Sequence, residues 1–167
     1  MPIQRANRIC RGLTAMAGIA ALVTLVSGCA QVTPYPNALA KNVHVHTQTD
    51  SGSMFSSVHA NLHVYEVDRE CKTRYLGVMA LDAPSVDVGL APDRRAYLVF
   101  GFNSSSWLAN GDSSISQDTL LTARSGYSYD IDVSYLDDLY NVVIHEVDRR
   151  GHRREVDTRR LSACQAQ

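Results

Sequence analysis

The residues best suited to chemistry begin with histidine. His44 and His46 stand two positions apart, and His59 and His63 stand four apart. On β-strands each spacing puts both side chains on one face. If the two strands pair as a hairpin through residues 50–57, four imidazoles share a wet face, a donor set suited to zinc, copper or nickel. The same four also read as ordinary polar positions on solvated strands, since no cysteine or acidic ligand lies within those strands. Asp130 and Asp132, with Asp137 and Asp138 beyond them, offer oxygens for a hard cation, but the spacing matches no calcium loop.

Residues 149–160 (RRGHRREVDTRR) carry six arginines against Glu155 and Asp157. Arg149, Arg150, Arg153 and Arg154 form a candidate electrostatic patch for phosphate-bearing or acidic partners. Charge on an edge strand also prevents sheet-to-sheet aggregation, which is the plainer reading. The polar stretch 103–117 (NSSSWLANGDSSISQ) holds the only tryptophan. Trp107 with Leu108 is a candidate partner-binding anchor, a rigid aromatic among adaptable polar groups; a lid folded over the end of the domain is the alternative. Catalysis finds little support. There is no G-x-S-x-G, H-E-x-x-H, phosphate-binding loop or dinucleotide fingerprint. Gly111-Asp112-Ser113 lacks the strand and the late Asp–His pair that such a hydrolase block needs. A non-enzyme without a small-molecule cofactor is expected.

The N-terminus reads as an address. Arg5, Arg8 and Arg11 precede a short apolar run at 13–26 (LTAMAGIAALVTLV), closed by Val26-Ser27-Gly28-Cys29. A basic start, an apolar stretch of about 7–15 residues and small residues at a cut mark a secretory signal, too short to span a bilayer. The final four residues resemble the lipobox of bacterial lipoproteins. That resemblance implies removal of residues 1–28, acylation of Cys29 and, with Ala30 and Gln31 following, transport to the outer membrane. Two or more acyl chains hold a protein stably on a membrane where one does not.

Cys10 leaves with the signal and Cys29 carries lipid, so Cys71 and Cys164 remain as a pair in an oxidising compartment. They read as a disulfide between a mid-chain turn and the C-terminus. Removal of the signal takes three arginines and no acid, moving the formal charge from −1 to −4. That balance excludes a nucleic-acid binder working through a basic surface.

The remaining elements must position these groups. Residues 29–42, with Pro34 and Pro36 and no period, read as a tether reaching about 40 Å at most. From Val43 onward apolar residues recur at every second position, as at Val58, Ala60, Leu62 and Val64, or Tyr127, Tyr129, Ile131 and Val133. Turn residues divide these runs at 91–93, 110–112, 125–126, 137–138 and 149–151. One helical turn is expected at 116–124. Seven to nine short strands in residues 43–167 predict an all-β domain, an antiparallel β-sandwich with a small barrel as the alternative. HVYEVDRE (63–70) and VIHEVDRR (143–150) share Glu-Val-Asp-Arg, which reads as coincidence at two charged strand exits rather than as a duplicated hairpin.

The lipobox, the short tether and the strand LHVYEV (62–67) resemble the small β-sandwich lipoproteins that anchor type VI secretion assemblies. The Cys71/Cys164 pair is not a feature of that family, and no functional residue is carried over. Ser125-Gly126-Tyr127 resembles a hairpin of lysozyme-inhibitor lipoproteins, mostly through turn chemistry. The function expected is a non-catalytic binding or scaffold module on the periplasmic side of the outer membrane. Its partners would be the membrane, through the lipid, and another envelope protein. The alternative is a metal- or ligand-binding lipoprotein using the histidine face.

Overall fold

Alternation of apolar and polar residues makes each strand two-faced, and two such sheets bury their apolar faces only by stacking. The computed structural model describes residues 32–49, 56–106, 113–136 and 139–166. Within the unit that starts at Thr33, nine strands form two sheets: β1 Val43–Thr49, β2 Ser56–Val67, β3 Thr73–Ala80, β4 Ser85–Val88, β5 Arg95–Ser106, β6 Ser113–Thr122, β7 Ser128–Leu136, β8 Leu139–Val147 and β9 Arg153–Glu155. One sheet has the order β4-β1-β7-β8-β9 and the other β3-β2-β5-β6. The fold is a β-sandwich, not a closed barrel. Among the described strands every pairing is antiparallel except β1 with β7, and a parallel bridge also joins Pro34 to Val78.

The core is the sum of the inward positions. Val43, Val45, Tyr129, Ile131, Val133, Val142 and Ile144 from the first sheet face Leu62, Val64, Leu98, Phe100 and Phe102 from the second, all buried. Fully burying one such side chain contributes about 1.5–3 kcal/mol. The expected helical turn at 116–124 is instead the end of β6. Thr119 and Leu121 are its buried positions, continued by Ala123 just past its end, and a threonine at the first of them hides the two-residue period. The polar loop expected at 103–117 shrinks correspondingly, because β5 continues to Ser106 and β6 starts at Ser113.

The tether is shorter than its sequence implies. Residues 33–42 form a strap across the β3/β4 edge. Tyr35 N–H donates to the Val78 carbonyl (2.8 Å) and Val78 N–H to the Thr33 carbonyl (2.9 Å). The Tyr35 hydroxyl then reaches the Gly89 carbonyl on the other side of the edge (2.6 Å). Asn37 bonds Asp87 and Gly89 main-chain groups, and Asn42 bonds both main-chain groups of Leu90. The close approach requires glycine. At Gly77 (φ 143°) a Cβ would lie 2.6 Å from the Tyr35 Cα, and at Gly89 2.5 Å from the Leu39 carbonyl oxygen.

The opposite edge is closed by the C-terminal segment. After β9, Val156 N–H bonds the Ile144 carbonyl and Leu120 N–H bonds the Arg159 carbonyl (2.7 Å). A short 3-10 helix, Leu161–Ala166, follows. The disulfide Cys71–Cys164 (Cα–Cα 5.9 Å) fastens this helix to the β2–β3 turn. In the chain-entropy account a loop of 93 residues is worth about 4–5 kcal/mol.

The Glu-Val-Asp-Arg echo is structural. In both copies the aspartate closes the following turn: Asp68 accepts from Lys72 N–H (2.8 Å), and Asp148 accepts from Arg150 and His152 N–H (2.7 and 3.0 Å). The left-handed residue falls at the same place, Cys71 (φ 61°) and Gly151 (φ 81°). The glutamate meets an arginine eight residues on, across the hairpin, in the register pairs Glu66↔Arg74 and Glu146↔Arg154.

The strap makes a direct prediction. Gly77→Ala should lower unfolding free energy by about 2–3 kcal/mol, since it adds a left-handed penalty of roughly 1–2 kcal/mol to a backbone clash. Gly151→Ala, with nothing within 4 Å of its Cβ, should cost only the conformational part. Urea melts of both variants separate the two; equal losses would remove the strap from the stability account.

Candidate functional site

The lower half of the β6/β9 edge contains a buried carboxylate surrounded by guanidinium groups. Glu146 lies on β8 with its side chain 8% exposed. Its Oε1 accepts from Arg124 and from Arg154, both at 3.0 Å, and its Oε2 lies 3.0 Å from the Tyr129 hydroxyl. Local geometry fixes each partner. Arg154 is the cross-strand neighbour on β9. Tyr129 is fully buried near the start of β7 and accepts from the Arg124 N–H (3.0 Å), a bond back over the corner where the chain changes sheets. This is the arrangement of a tyrosine corner. Its single proton goes to the Glu146 carboxylate, a charged acceptor, in preference to the Thr122 carbonyl at 3.2 Å. Burial raises the Tyr129 phenol above its ordinary pKa, and the charge of Glu146 raises that of Arg124. Arg124 also lies over the Tyr127 ring, 4.1 Å from its centroid.

A cleft of about 300 Å³ opens beside this knot, lined among others by Arg95, Arg124, Arg154, Arg159, Glu146 and Tyr129. Glu155 and Asp157 also line it, and among the described ion pairs neither is joined to the four arginines. Arg95 is half-buried, and its guanidinium donates to the Cys164 Sγ at 3.0 Å. The Arg159 main chain is held on β6 by Thr119 and Leu120. Among the described residues no carboxylate lies within ion-pair distance of Arg95 or Arg159.

The expected four-arginine patch is divided. Arg153 and Arg154 are neighbours on β9, so they point to opposite faces. Arg154 enters the cleft, while Arg153 lies on the outer face, 3.4 Å from Asp130 and 3.8 Å from Asp132. That contact also occupies the aspartates proposed for a hard cation; Asp137 and Asp138 lie outside the described residues. Arg149 and Arg150 are exposed at the β8–β9 turn, with the Arg149 guanidinium folded toward Gly126. Trp107, Leu108 and Cys29 also lie outside the described residues.

The four histidines do not come together. β1 and β2 belong to different sheets instead of pairing as a hairpin. His44 and His46 face outward from one sheet, His59 and His63 outward from the other, so the sandwich thickness separates the pairs. Three of them have local company instead: His44 with Asp87 at 2.7 Å, His59 with Asp82 at 3.6 Å, and His63 with the Tyr75 hydroxyl at 3.3 Å. Among the described residues no group of three His, Cys, Asp or Glu is placed to hold a metal ion. The first sheet does carry an acid–histidine row that the sequence reading missed. Asp87, His44, Asp130, His145 and Glu155 are successive register partners across all five strands.

The cleft residues Glu146, Arg95, Arg124 and Arg159 were likewise not singled out in the sequence. Glu146 stands in the repeated Glu-Val-Asp-Arg, with Arg154 eight positions beyond it, and Arg159 stands in the arginine run 149–160; Arg95 and Arg124 carried no signal. Comparison with known proteins finds no matching family model, no similar curated protein and no similar solved structure.

Two outcomes follow for stability. Glu146→Gln leaves two guanidinium groups without their shared anion and should cost about 1–3 kcal/mol. Glu66→Gln, at a carboxylate 21% exposed, should cost less. Chemical denaturation of the pair tests the order. The second concerns acid. Arg74 and Arg94 hold the Glu66 carboxyl below its usual range, the Ser125 hydroxyl does so for Asp93, and the His152 N–H for Asp148. Groups lowered by folding stabilise the native state fully above the ordinary carboxylate range, near pH 4–4.5, and lose that contribution as pH falls through their lowered values. Tm should therefore hold from pH 7 to about 5 and decline below about 4; a Tm unchanged down to pH 2 would contradict these contacts.

Proposed function

We propose that this chain is an outer-membrane lipoprotein, acylated on Cys29, whose sandwich works as a non-catalytic binding or scaffold module of the cell envelope. The observation that carries the reading is the strap. With residues 33–42 committed to the β3/β4 edge, only residues 30–32 separate Cys29 from the first bonded position. At about 3.3–3.6 Å per residue that is a leash of roughly 14 Å, not 40 Å. A domain held so close acts on partners at the membrane surface. The disulfide supports an oxidising compartment.

Binding rather than turnover is supported by the state of the cleft carboxylate. Glu146 is engaged by two arginines and a tyrosine, which leaves it poorly placed as a general base. Recognition is assigned to the arginines at the β8–β9 edge, Arg149, Arg150 and Arg154, together with the Trp107-Leu108 segment joining β5 to β6. The partner is another envelope protein. The likeness to the type VI secretion lipoproteins supports a role as an assembly accessory.

Crosslinking of the lipidated protein in its native cells, followed by mass spectrometry, tests this. One envelope component should recur and be lost on Trp107→Ala or on joint neutralisation of Arg149 and Arg150. Metabolic labelling with an alkyne fatty acid should mark the protein, and Cys29→Ser should abolish the label and release the domain from the membrane fraction. A membrane-bound Cys29→Ser variant, or a crosslink profile unchanged by these substitutions, would refute the corresponding half.

A further inference from the structure

We infer that the cleft between β6 and β9 is a receptor for a phosphoryl group. Four arginines, Arg95, Arg124, Arg154 and Arg159, line about 300 Å³ together with the carboxylates Glu146, Glu155 and Asp157, a lining with one positive charge in excess. Two of them, Arg124 and Arg154, share one carboxylate oxygen of Glu146 and keep further N–H donors for the opening. The other two, Arg95 and Arg159, meet no carboxylate among the described residues. Arg95 is the informative one. It is half-buried, and its one described side-chain partner is a disulfide sulfur, a weak acceptor. A partly desolvated guanidinium without an anion is costly unless one arrives from outside.

The donor set also selects the ligand. A carboxylate is satisfied by one forked arginine, whereas a phosphoryl group presents three oxygens and more charge to several guanidinium groups at once. The knot is preorganised for this. Arg124 is fixed by Glu146 and Tyr127, and the Arg159 main chain is bonded at both its N–H and its carbonyl to β6. Binding therefore requires little ordering of Arg124, while the exposed Arg159 side chain, held only through its main chain, is ordered by the ligand. This inference deepens the binding-module reading by naming the ligand chemistry of one surface. It does not depend on acylation, so a negative result here leaves the Cys29 experiment untouched, and the reverse.

The test is a titration of the full chain, purified in neutral detergent, with inorganic phosphate against chloride at matched ionic strength, followed by calorimetry and by the NMR signals of arginine Nε–H groups. Saturable one-to-one binding is expected. Arg95→Gln and Arg159→Gln should each weaken it about tenfold, the size expected for one charge-assisted bond. Arg69→Gln, at the exposed β2–β3 turn outside the cleft, should leave it unchanged. Arg159→Gln guards against misfolding, because that side chain supports no described hydrogen bond, whereas Arg95 touches the disulfide. Absence of saturation, or equal weakening by Arg69→Gln, would overturn the assignment. Two soluble competitors identify the source of the group. Displacement by glycerol 3-phosphate alone assigns a free phosphomonoester, and displacement by monomeric dihexanoyl-phosphatidylglycerol assigns a lipid headgroup.

Discussion

Two open sheets stacked face to face leave a slot along each side, where the core would meet water and edge strands would offer unpaired main-chain groups. Most of what is particular to this molecule is an answer to that constraint. On the β3/β4 side the answer is the strap, main chain laid on main chain, admitted by glycines at 77 and 89. On the β6/β9 side β9 is only three residues long and pairs with residues 145–147 alone. The chain therefore completes the closure with an irregular C-terminal segment, fastened by Cys71–Cys164. The first closure is continuous. The second is a patchwork, and the cleft is the gap it leaves.

This explains why charge gathers there. A gap at a sandwich edge brings water to the margin of the core, so long amphipathic side chains suit it: their stems cover apolar surface while their heads stay wet. The half-buried Arg95 fits this description, and three exposed arginines stand around it on the cleft lining. The cost of a carboxylate as buried as Glu146 is offset by its neighbours, each fixed by a different constraint: strand register for Arg154, the inter-sheet corner for Arg124 and Tyr129. The anionic knot and the cationic opening arise from the same geometry.

The strands and the sandwich were legible because alternation is local. Which strands pair was not, because a strand such as Val43–Thr49 alternates identically in either sheet. The histidine hypothesis failed on this point: His44 and His59 belong to neighbouring strands in sequence but to opposite sheets. The strap was illegible for another reason. Its bonds come mainly from main chain and from Asn37 and Asn42, so no hydrophobic period marks it. Residues 33–42 look like a linker because strength from main-chain hydrogen bonds leaves little trace in composition. Glycine at 77, inside a strand, was the available sign of a close backbone approach.

The two Glu-Val-Asp-Arg hairpins show how one local solution serves two purposes. In each, an aspartate closes the turn, a left-handed residue follows, and the glutamate pairs with an arginine across the strands and with a second arginine beyond them. The copies differ at the left-handed position. Gly151 adopts it without strain, and its turn exposes Arg150 while Arg149 folds back toward Gly126. Cys71 takes the same conformation at a cost of about 1–2 kcal/mol, smaller than the stabilisation expected from the crosslink it makes. That crosslink brings Cys164, and with it the wall that holds Arg95, to the cleft. One hairpin thus presents arginines and the other anchors the segment that walls them in. Exchanging cysteine and glycine between the turns would preserve both hairpins and remove the site.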